Sequence, residues 1–318
     1  MTNPMRRRRA ALIPVLSFVF CAASTAVPRT ALAQRERYAP LVLQLPASAR
    51  AMAMGGVTVV SRDVDAVFGN PALVGGNNTL SLTGARYPSA ATAGQLATAM
   101  NVGSLGIGMG VTMLDAPNPS EFPPLRSHVL LDEQQPSRPG SSLAATVAAA
   151  FNWKGFRWGG AAKYVEERAF VQRGGSFAGD LGVSKDIRNG TITTGLAVQN
   201  LGAPIRGNGV GRSLPTRVAL GIGRGGYGLG KWFDLGGAAN LAVRRDGRFL
   251  PSGGGELTYV PIEGVSFALR AGVRAPELRA QQPITAGVGV MLDRVSLDYG
   301  WEDMRGMGGA HRISVRLR

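Results

Sequence analysis

The amino-acid sequence predicts an all-β fold, a transmembrane antiparallel β-barrel of about 14 strands. Three observations predict it: an export signal at the amino terminus, apolar residues that recur at every second position, and connections that alternate between long and short. An even strand number is the one that bacterial outer-membrane barrels require. A count of 12 strands stays open, because the boundaries of predicted segments shift by about two to four residues.

The composition excludes several classes of protein. The chain has 318 residues and a formal net charge of +15, with 45 Gly, 2 His and 1 Cys. A single Cys excludes a disulfide scaffold and a multi-cysteine metal site, and the few His exclude a histidine-rich metal centre. With 45% apolar residues the chain is not disordered by composition, and its glycines lack the period of collagen.

Residues 1–33 have the layout of a secretory signal peptide. A run of four arginines at 6–9 precedes an apolar stretch at 10–26, and an A-x-A sequence at 31–33 provides a cleavage site. The apolar stretch is shorter than the roughly 20 residues that a membrane-spanning helix needs. Lipoprotein processing at Cys21 is disfavoured, because a bulky aromatic residue precedes it. We therefore predict a cleaved export signal.

Alternation of apolar with small or polar residues marks the predicted strands. In 104–114, Leu105, Ile107 and Met109 share one face with later apolar residues, and glycines and Thr112 occupy the other face. This period-two pattern is typical of β-strands, and most segments have about the length that a tilted membrane-spanning strand needs. The segments lie at 79–87, 90–101, 103–114, 143–153, 156–166, 177–186, 190–200, 214–223, 231–243, 253–261, 264–273, 284–292, 294–301 and 310–318.

The connections between these segments also favour an outer-membrane barrel, which has long extracellular loops and short periplasmic turns. Long connections are predicted at 115–142, 167–176, 201–213, 244–252, 274–283 and 302–309. With 14 strands both termini fall on the short-turn side, the periplasm. The longest connection is rich in proline, which favours an exposed or lumen-folded loop. A soluble β-sandwich, whose strands also alternate, is the less favoured alternative.

The alternation also separates charged from aromatic residues. A charge that faces lipid at mid-bilayer costs about 2–4 kcal/mol, and the charged residues of the predicted strands share the polar register. They include Lys163, Asp180, Arg217, Asp234, Glu256, Arg270, Asp298, Arg312 and Arg316. The other register carries aromatic residues, mostly near strand ends, as in the aromatic girdles of membrane barrels. They include Trp153, Phe156, Trp158, Tyr164, Phe233, Tyr259, Tyr299 and Trp301.

Residues 49–74 carry an ordered set of short motifs: Ala49-Arg50-Ala51-Met52, Met54-Gly55-Gly56, the acidic Asp63 and Asp65, Phe68, and Asn70-Pro71-Ala72. This order resembles the entry motif of the FadL-like outer-membrane proteins, and more closely that of their PorV/PorQ branch. Residues 195–223 resemble the QNLG-containing hairpin of that family, and 310–318 resemble its last strand. Two positions depart from the family pattern: Leu73 replaces a glycine, and Arg318 replaces a terminal aromatic residue.

The resemblance implies that residues 34–78 form a hatch or plug segment in the lumen, and that 79–318 form the outer-membrane β-barrel. The residues expected to hold the hatch are Arg50, Gly55, Gly56, Asp63, Asp65, Asn70, Pro71, Ala72, Arg217 and Arg270. Without the resemblance, a periplasmic turn before the first strand explains the segment equally well.

Elementary chemistry gives these residues definite roles. Gly55 and Gly56 allow positive φ or a close backbone approach, and Asn70 before Pro71 favours an Asx turn. A segment inside a polar lumen needs anchors for its backbone and charged groups. We therefore expect Asp63 and Asp65 to pair with inward arginines such as Arg217 or Arg270.

Motifs for catalysis are discounted, and no catalytic, metal or cofactor site is predicted. The G-x-G-x-x-G sequence at 221–226 is not followed by an amphipathic helix, and the G-x-x-x-x-G-K sequence at 225–231 is followed by Trp232 rather than Ser or Thr. His128 and His311 have no partners at the spacing of a triad. The arginines are scattered, so nucleic-acid binding is not expected.

The resemblance implies two activities, with outer-membrane lipid as a partner in both. The first is a component or cargo carrier of type IX secretion, which would bind secreted cargo or export-complex proteins at its extracellular loops. The alternative is a diffusion channel for a hydrophobic small molecule, either a fatty acid or an aromatic hydrocarbon. A plugged structural barrel is a third possibility. Glycines at 159–160, 236–237 and 253–255 are candidates for a lateral opening, although packing of small residues against their neighbours is the favoured explanation for each of them.

Overall fold

The computed structural model describes residues 40–76, 78–88, 90–116, 140–169, 172–188, 190–207, 210–277 and 281–318. Within them, 14 antiparallel strands form a closed barrel, and two short strands form a separate hairpin. The predicted 14-strand barrel is confirmed. The predicted signal peptide, most of the proline-rich connection and His128 lie outside the described residues.

Around the barrel the strands follow the order of the chain, and each barrel strand pairs with the barrel strands that precede and follow it. Their bounds are β1 (Thr79–Arg86), β2 (Thr92–Val102), β3 (Leu105–Ala116), β4 (Gly140–Trp153), β5 (Phe156–Ala169), β6 (Gln172–Ile187), β7 (Ile192–Gly202), β8 (Ile205–Gly207), β9 (Val210–Arg212), β10 (Arg217–Leu229), β11 (Phe233–Arg244), β12 (Phe249–Ile262), β13 (Val265–Arg274), β14 (Gln281–Leu292), β15 (Val295–Met304) and β16 (Gly308–Leu317).

Two pairings complete the sheet. β1 pairs with β16, with Leu80 opposite Leu317, and this pairing closes the barrel. β7 pairs directly with β10, because β8 and β9 pair only with each other. Closure removes both sheet edges, so the backbone groups of every barrel strand have partners within the hydrocarbon layer.

The connections at the long-loop end differ in part from the prediction. A long connection was expected at 167–176, but β5 continues to Ala169 and β6 begins at Gln172. Glu166 stabilises this extension, because its carboxylate accepts hydrogen bonds from Arg168 and Arg173 beside it. The predicted connection 201–213 instead contains the β8–β9 hairpin. β1 begins and β16 ends at the short-turn side, as predicted.

The outer surface of the barrel is apolar. Large side chains such as Leu82, Leu220 and Leu269 point outward and are more than half exposed, and Phe177 is 75% exposed. A closed barrel with such a surface suits the hydrocarbon layer, so the fold implies location in the outer membrane. No helix within the described residues is both long and apolar enough to cross a membrane.

Residues 40–76, which we call the lumenal segment, run through the inside of the barrel. The segment contains the helix α1 (Ala49–Ala53) and the 3-10 helices Leu41–Gln44, Val64–Val67 and Pro71–Leu73. Ser48, Asp63 and Asn70 cap three of these helices, because each side chain accepts a hydrogen bond from a backbone N–H just beyond it. The caps satisfy backbone groups that a polar lumen would otherwise leave unpaired.

The lumenal segment approaches the wall where inward-facing residues are glycine. A Cβ atom added at Gly300 would lie 2.5 Å from the carbonyl oxygen of Ala49, and one at Gly254 would lie 2.7 Å from Cα of Met54. At Gly159 an added Cβ would collide with Pro71 and Ala72. The glycines at 159 and 254 therefore pack against the segment rather than opening the wall.

We predict that Gly254→Ala destabilises the packing of the lumenal segment against the barrel wall, whereas Gly255→Ala does not. A methyl group at 254 meets the backbone of Met54, whereas the nearest heavy atom at 255 is 3.8 Å away. Overpacking of this kind costs about 1–3 kcal/mol. Urea unfolding in detergent micelles, with limited proteolysis of residues 40–76, measures the effect. Equal stability of the two variants would contradict close packing at Gly254.

Candidate functional site

Ion pairs tie the lumenal segment to the barrel wall on the short-turn side of the lumen. Arg50 on α1 donates to Glu256 on β12, with 3.1 Å between Nε and Oε2. The Arg270 guanidinium on β13 contacts the same carboxylate. Glu256 therefore accepts one arginine from the segment and one from the wall.

A second set of pairs continues this chain of charges back to the segment. Arg270 lies 2.7 Å from Asp298 on β15, measured from Nη1 to Oδ1. The other oxygen of Asp298 accepts from Arg316 on β16 at 2.5 Å, and Arg316 also pairs with Asp63 of the segment. The charges alternate from Arg50 to Asp63, so both ends of the chain belong to the segment and its middle to the wall. We call this set the lumenal ion-pair chain.

The structure corrects the expected partners of the two acidic residues. Asp63 pairs with an inward arginine, as expected, but the partner is Arg316 rather than Arg217 or Arg270. Asp65 accepts a hydrogen bond of 2.5 Å from Ser48 within the segment. Burial raises the pKa of Asp65, although the Ser48 hydrogen bond and the Arg50 charge oppose that shift.

The other predicted arginine belongs to the long-loop side of the lumen. Arg217 donates to Gln199 at 2.5 Å and to Glu277 at 3.0 Å. Gln199 in turn donates to the carbonyl oxygen of Gly69. Arg217 therefore supports the segment through Gln199 and not through a carboxylate of the segment.

Asn70 lies against β6 of the wall, and Gly55 lies against β13 and β14. The Asn70 amide donates to the carbonyl oxygen of Val59 at 2.9 Å and caps the 3-10 helix of Pro71 and Ala72. Gly55 has φ +72° and donates to Thr285 Oγ1 at 3.2 Å. An added Cβ at Gly55 would lie 2.6 Å from the carbonyl oxygen of Val273, so this close approach requires glycine.

A buried polar cluster fixes the connection that leaves β7. Lys163 lies 2.6 Å from Asp180 and donates to the Asn200 side chain at 3.0 Å. Asp180 also accepts from the backbone N–H of Asn200, and Thr216 donates to the Asn200 carbonyl oxygen, both at 2.7 Å. Asn200 has φ +57°, which asparagine tolerates better than most residues. The neighbouring Gln199 donates a hydrogen bond to the segment, so two consecutive residues contact the segment and the connection that follows β7.

Two cavities lie on the two sides of the lumenal segment. The cavity at the short-turn side has a volume of about 640 Å³ and is lined by the lumenal ion-pair chain together with small, hydroxyl and apolar side chains, among them Met54, Val60 and Met291. The cavity at the long-loop side is about 60 Å³, and its lining combines Val42, Leu43 and Leu250 with Arg274 and Asn240. The segment therefore separates a larger inner cavity from a smaller outer one, and charged and apolar side chains line both.

An apolar cluster closes the long-loop end of the lumen. It joins Val42 of the segment to inward residues of the wall and to Ile205 of the β8–β9 hairpin, which is fully buried. Its other buried members are Ala91, Ala93, Leu114, Ala144, Val165, Ala178 and Leu214. We call this set the mouth cluster.

The motifs that were discounted as catalytic lie in the barrel wall. Gly221 and Gly223 are inward residues of β10 that face Val60 of the segment. His311 is on the outward face of β16, where its Nδ1 lies 2.7 Å from the Tyr299 hydroxyl. Among the described residues no group of three or more His, Cys, Asp or Glu is placed to hold a metal ion.

Comparisons with known proteins show the fold. No protein-family model and no curated protein matches the sequence. Among solved structures, the Ralstonia pickettii toluene transporter TbuX matches with a TM-score of 0.56 and 11% identity, over 85% of this chain and 98% of that one. The Pseudomonas putida toluene transporter TodX matches with a TM-score of 0.55 and 10% identity, over 85% and 96%.

A Pseudomonas aeruginosa FadL homologue matches with a TM-score of 0.56 and 9% identity, over 89% of this chain and 99% of that one. The chain is therefore similar in fold to FadL-type outer-membrane channels. The solved structures above are transport channels and not enzymes.

We predict energetic coupling between Arg50 and Glu256. The variants Arg50→Gln and Glu256→Gln and their combination form a double-mutant cycle, and residues in direct contact show coupling of about 0.5–3 kcal/mol. Protease cleavage within residues 40–76, followed across urea concentrations, reports how stably the segment is packed in the lumen. The same cycle on the Arg212–Glu167 pair, which lies outside the segment, should leave cleavage unchanged. Additive effects of Arg50→Gln and Glu256→Gln would contradict the contact.

We predict that Asp65 makes the folded state less stable as the pH rises. The folded chain holds this proton more tightly than the unfolded chain, because the pKa of Asp65 is raised above its ordinary value of 3.8. The free energy of unfolding therefore falls as the pH rises through that value towards the raised pKa, and the loss persists above it. Asp65→Asn should remove this dependence, as measured by the difference between wild-type and variant melting curves across pH. A pH-independent difference would contradict the raised pKa.

Proposed function

We propose that the chain is an outer-membrane diffusion channel for hydrophobic small molecules, with aromatic hydrocarbons as the favoured class. The observation that carries the proposal is the match of 85% or more of the chain to nearly the full length of TbuX, TodX and the FadL homologue. Two of those proteins are toluene transporters by name. The sequence resemblance of residues 49–74 to the FadL-like entry motif supports the same function.

The polarity of the lumen agrees with this function. The outer cavity has Val42, Leu43 and Leu250 in its lining, which offer apolar contacts to a solute that arrives from the extracellular side. The inner cavity of about 640 Å³ adds the apolar side chains of Met54 and Val60 beside its charged groups. A hydrophobic solute would thus meet apolar side chains on both sides of the segment, which it must pass to leave.

The lumenal segment is proposed to act as the hatch of this channel. Its polar anchors contact solvent in part, since the Arg50 side chain is 30% exposed and that of Glu256 is 18% exposed. Water can therefore replace these hydrogen bonds when the segment shifts, which lowers the cost of movement. The proposal includes export through a cleaved signal peptide at 1–33, a hatch at 34–78 and the barrel at 79–318.

The second candidate function is a component or cargo carrier of type IX secretion, of the PorV/PorQ type. It rests on the sequence resemblance of residues 49–74 and on the connections 115–142 and 201–213 as the proposed surface for a protein partner. The solved structures with matching folds favour the channel over this candidate. Recovery of a stoichiometric secreted protein or export-complex subunit with the native barrel would reverse that order.

Toluene uptake tests the channel. A Gram-negative host without barrels of this fold should take up labelled toluene faster when it expresses the chain than without it. Leu43→Asp should reduce that gain severalfold, because it places a charge beside the mouth cluster, against which Leu43 packs. A charged group in an apolar site is unfavourable for an apolar solute.

Leu41→Asp provides the matched control, because Leu41 lies in the same 3-10 helix and is 45% exposed. It should leave toluene uptake at the wild-type rate. Uptake by the expressing host at the rate of the empty host, with the barrel folded in its outer membrane, would contradict the proposed channel.

A further inference from the structure

Four cation–ring contacts occur among the described residues, and all four lie at the short-turn end of the barrel. The distances from cation to ring centroid are 4.6 Å for Lys154 over Trp153, 4.6 Å for Lys185 over Phe156, 4.7 Å for Arg224 over Tyr227 and 4.9 Å for Lys231 over Trp232. Basic residues next to exposed aromatic rings are suited to the boundary between hydrocarbon and lipid headgroups.

Two of these contacts belong to one compact surface. Trp153, Lys154, Phe156 and Trp158 surround the turn between β4 and β5, and Lys185 reaches them from β6; we call this surface the lysine–aromatic patch. The ring centroids of Trp153 and Phe156 lie 6.3 and 6.4 Å from that of Trp158. Each ring is more than one third exposed. The patch therefore presents two ammonium groups above a group of outward-facing rings.

The lysines of the patch have no carboxylate partner within the described residues. Lys185 belongs to the outward register of β6, with the exposed Leu181 and Ile187. The adjacent Asp186 pairs instead with Arg62 of the lumenal segment. The apolar stem of Lys185 can thus lie against hydrocarbon while its ammonium reaches the headgroup layer.

The opposite end of β5 differs from the patch, because the outward carboxylate of Glu166 is paired with arginines of the protein. Glu166 accepts from Tyr164 at 3.0 Å, from Arg168 at 2.7 Å and from Arg173 at 2.5 Å. The outward charges of this hairpin are thus paired at the long-loop end and unpaired at the short-turn end. The unpaired lysines leave a site for an anion supplied by the surroundings.

We propose that the lysine–aromatic patch binds the headgroup of an anionic glycerophospholipid of the phosphatidylglycerol type. Short turns face the periplasm in outer-membrane barrels, so the patch meets the inner leaflet. The lipid phosphate lies between the ammonium groups of Lys154 and Lys185, and its acyl chains pack along Trp158 and Leu181. Basic side chains at a membrane surface each contribute about fivefold to binding of anionic lipid.

Native mass spectrometry of the full-length barrel in detergent tests this site, with phosphatidylglycerol and phosphatidylcholine of matched acyl chains as probes. Wild-type protein should retain phosphatidylglycerol in preference to phosphatidylcholine. Lys154→Gln with Lys185→Gln should reduce that preference by at least tenfold, and Lys154→Arg with Lys185→Arg should preserve it. Arg86→Gln is the matched control, because Arg86 is an exposed, outward cation at the end of β1 on the long-loop side, and it should retain the wild-type preference.

Equal retention of the two lipids by wild-type protein would overturn the proposal. Retention of phosphatidylglycerol by the double glutamine variant at the wild-type level would also overturn it. If the double variant does not fold, the single variants Lys154→Gln and Lys185→Gln replace it, and each should lower the preference about fivefold. Because the lipid measurement needs no transport, its result is independent of whether toluene passes through the barrel.

Discussion

The requirement that every backbone N–H and C=O find a partner within the hydrocarbon layer determines the rest of this structure. The pairing of β1 with β16 meets that requirement for the strands by closing the sheet. Closure creates a lumen, and the lumenal segment that occupies it meets the same requirement with its own caps at Ser48, Asp63 and Asn70. Glycines on the inward register of the wall leave room for the backbone of that segment. The outer face, the inner face and the segment are therefore consequences of one constraint.

Charge holds the segment differently on its two sides. On the short-turn side, Arg50 and Asp63 are the ends of a chain of ion pairs whose middle members are inward residues of the wall. On the long-loop side, neutral hydrogen bonds such as that from Gln199 and the apolar contacts of Val42 replace ion pairs. This asymmetry agrees with the proposed function, because the apolar contacts of the segment lie on the side from which an apolar solute would enter.

The sequence predicted the strands well and the contacts of the segment poorly. Period-two alternation locates all 14 barrel strands, and local turn chemistry identifies the Asn70 cap, because both depend on neighbouring residues. The partner of Arg50 is more than 200 positions away, and it depends on the tilt and stagger of the closed barrel, which no local pattern encodes. The inward register did contain Glu256, Asp298 and Arg316, but polarity alone does not pair them. The β5–β6 extension was missed because it is stabilised by the pairs of Glu166 with Arg168 and Arg173, which hydrophobic alternation does not reveal.

Gln199 and Asn200 bring hydrogen bonds from the long-loop connection and from the lumenal segment to one place on β7. Gln199 holds the carbonyl oxygen of Gly69 in the segment, and Asn200 holds the connection that carries the β8–β9 hairpin. The two residues are consecutive, and the register shift between Gly179 and Leu181 on the paired strand lies beside them. A single peptide bond therefore separates the residue that holds the hairpin connection from the residue that anchors the segment. The outermost connection of the barrel and the segment that fills its lumen thus share two consecutive residues of one strand as their support.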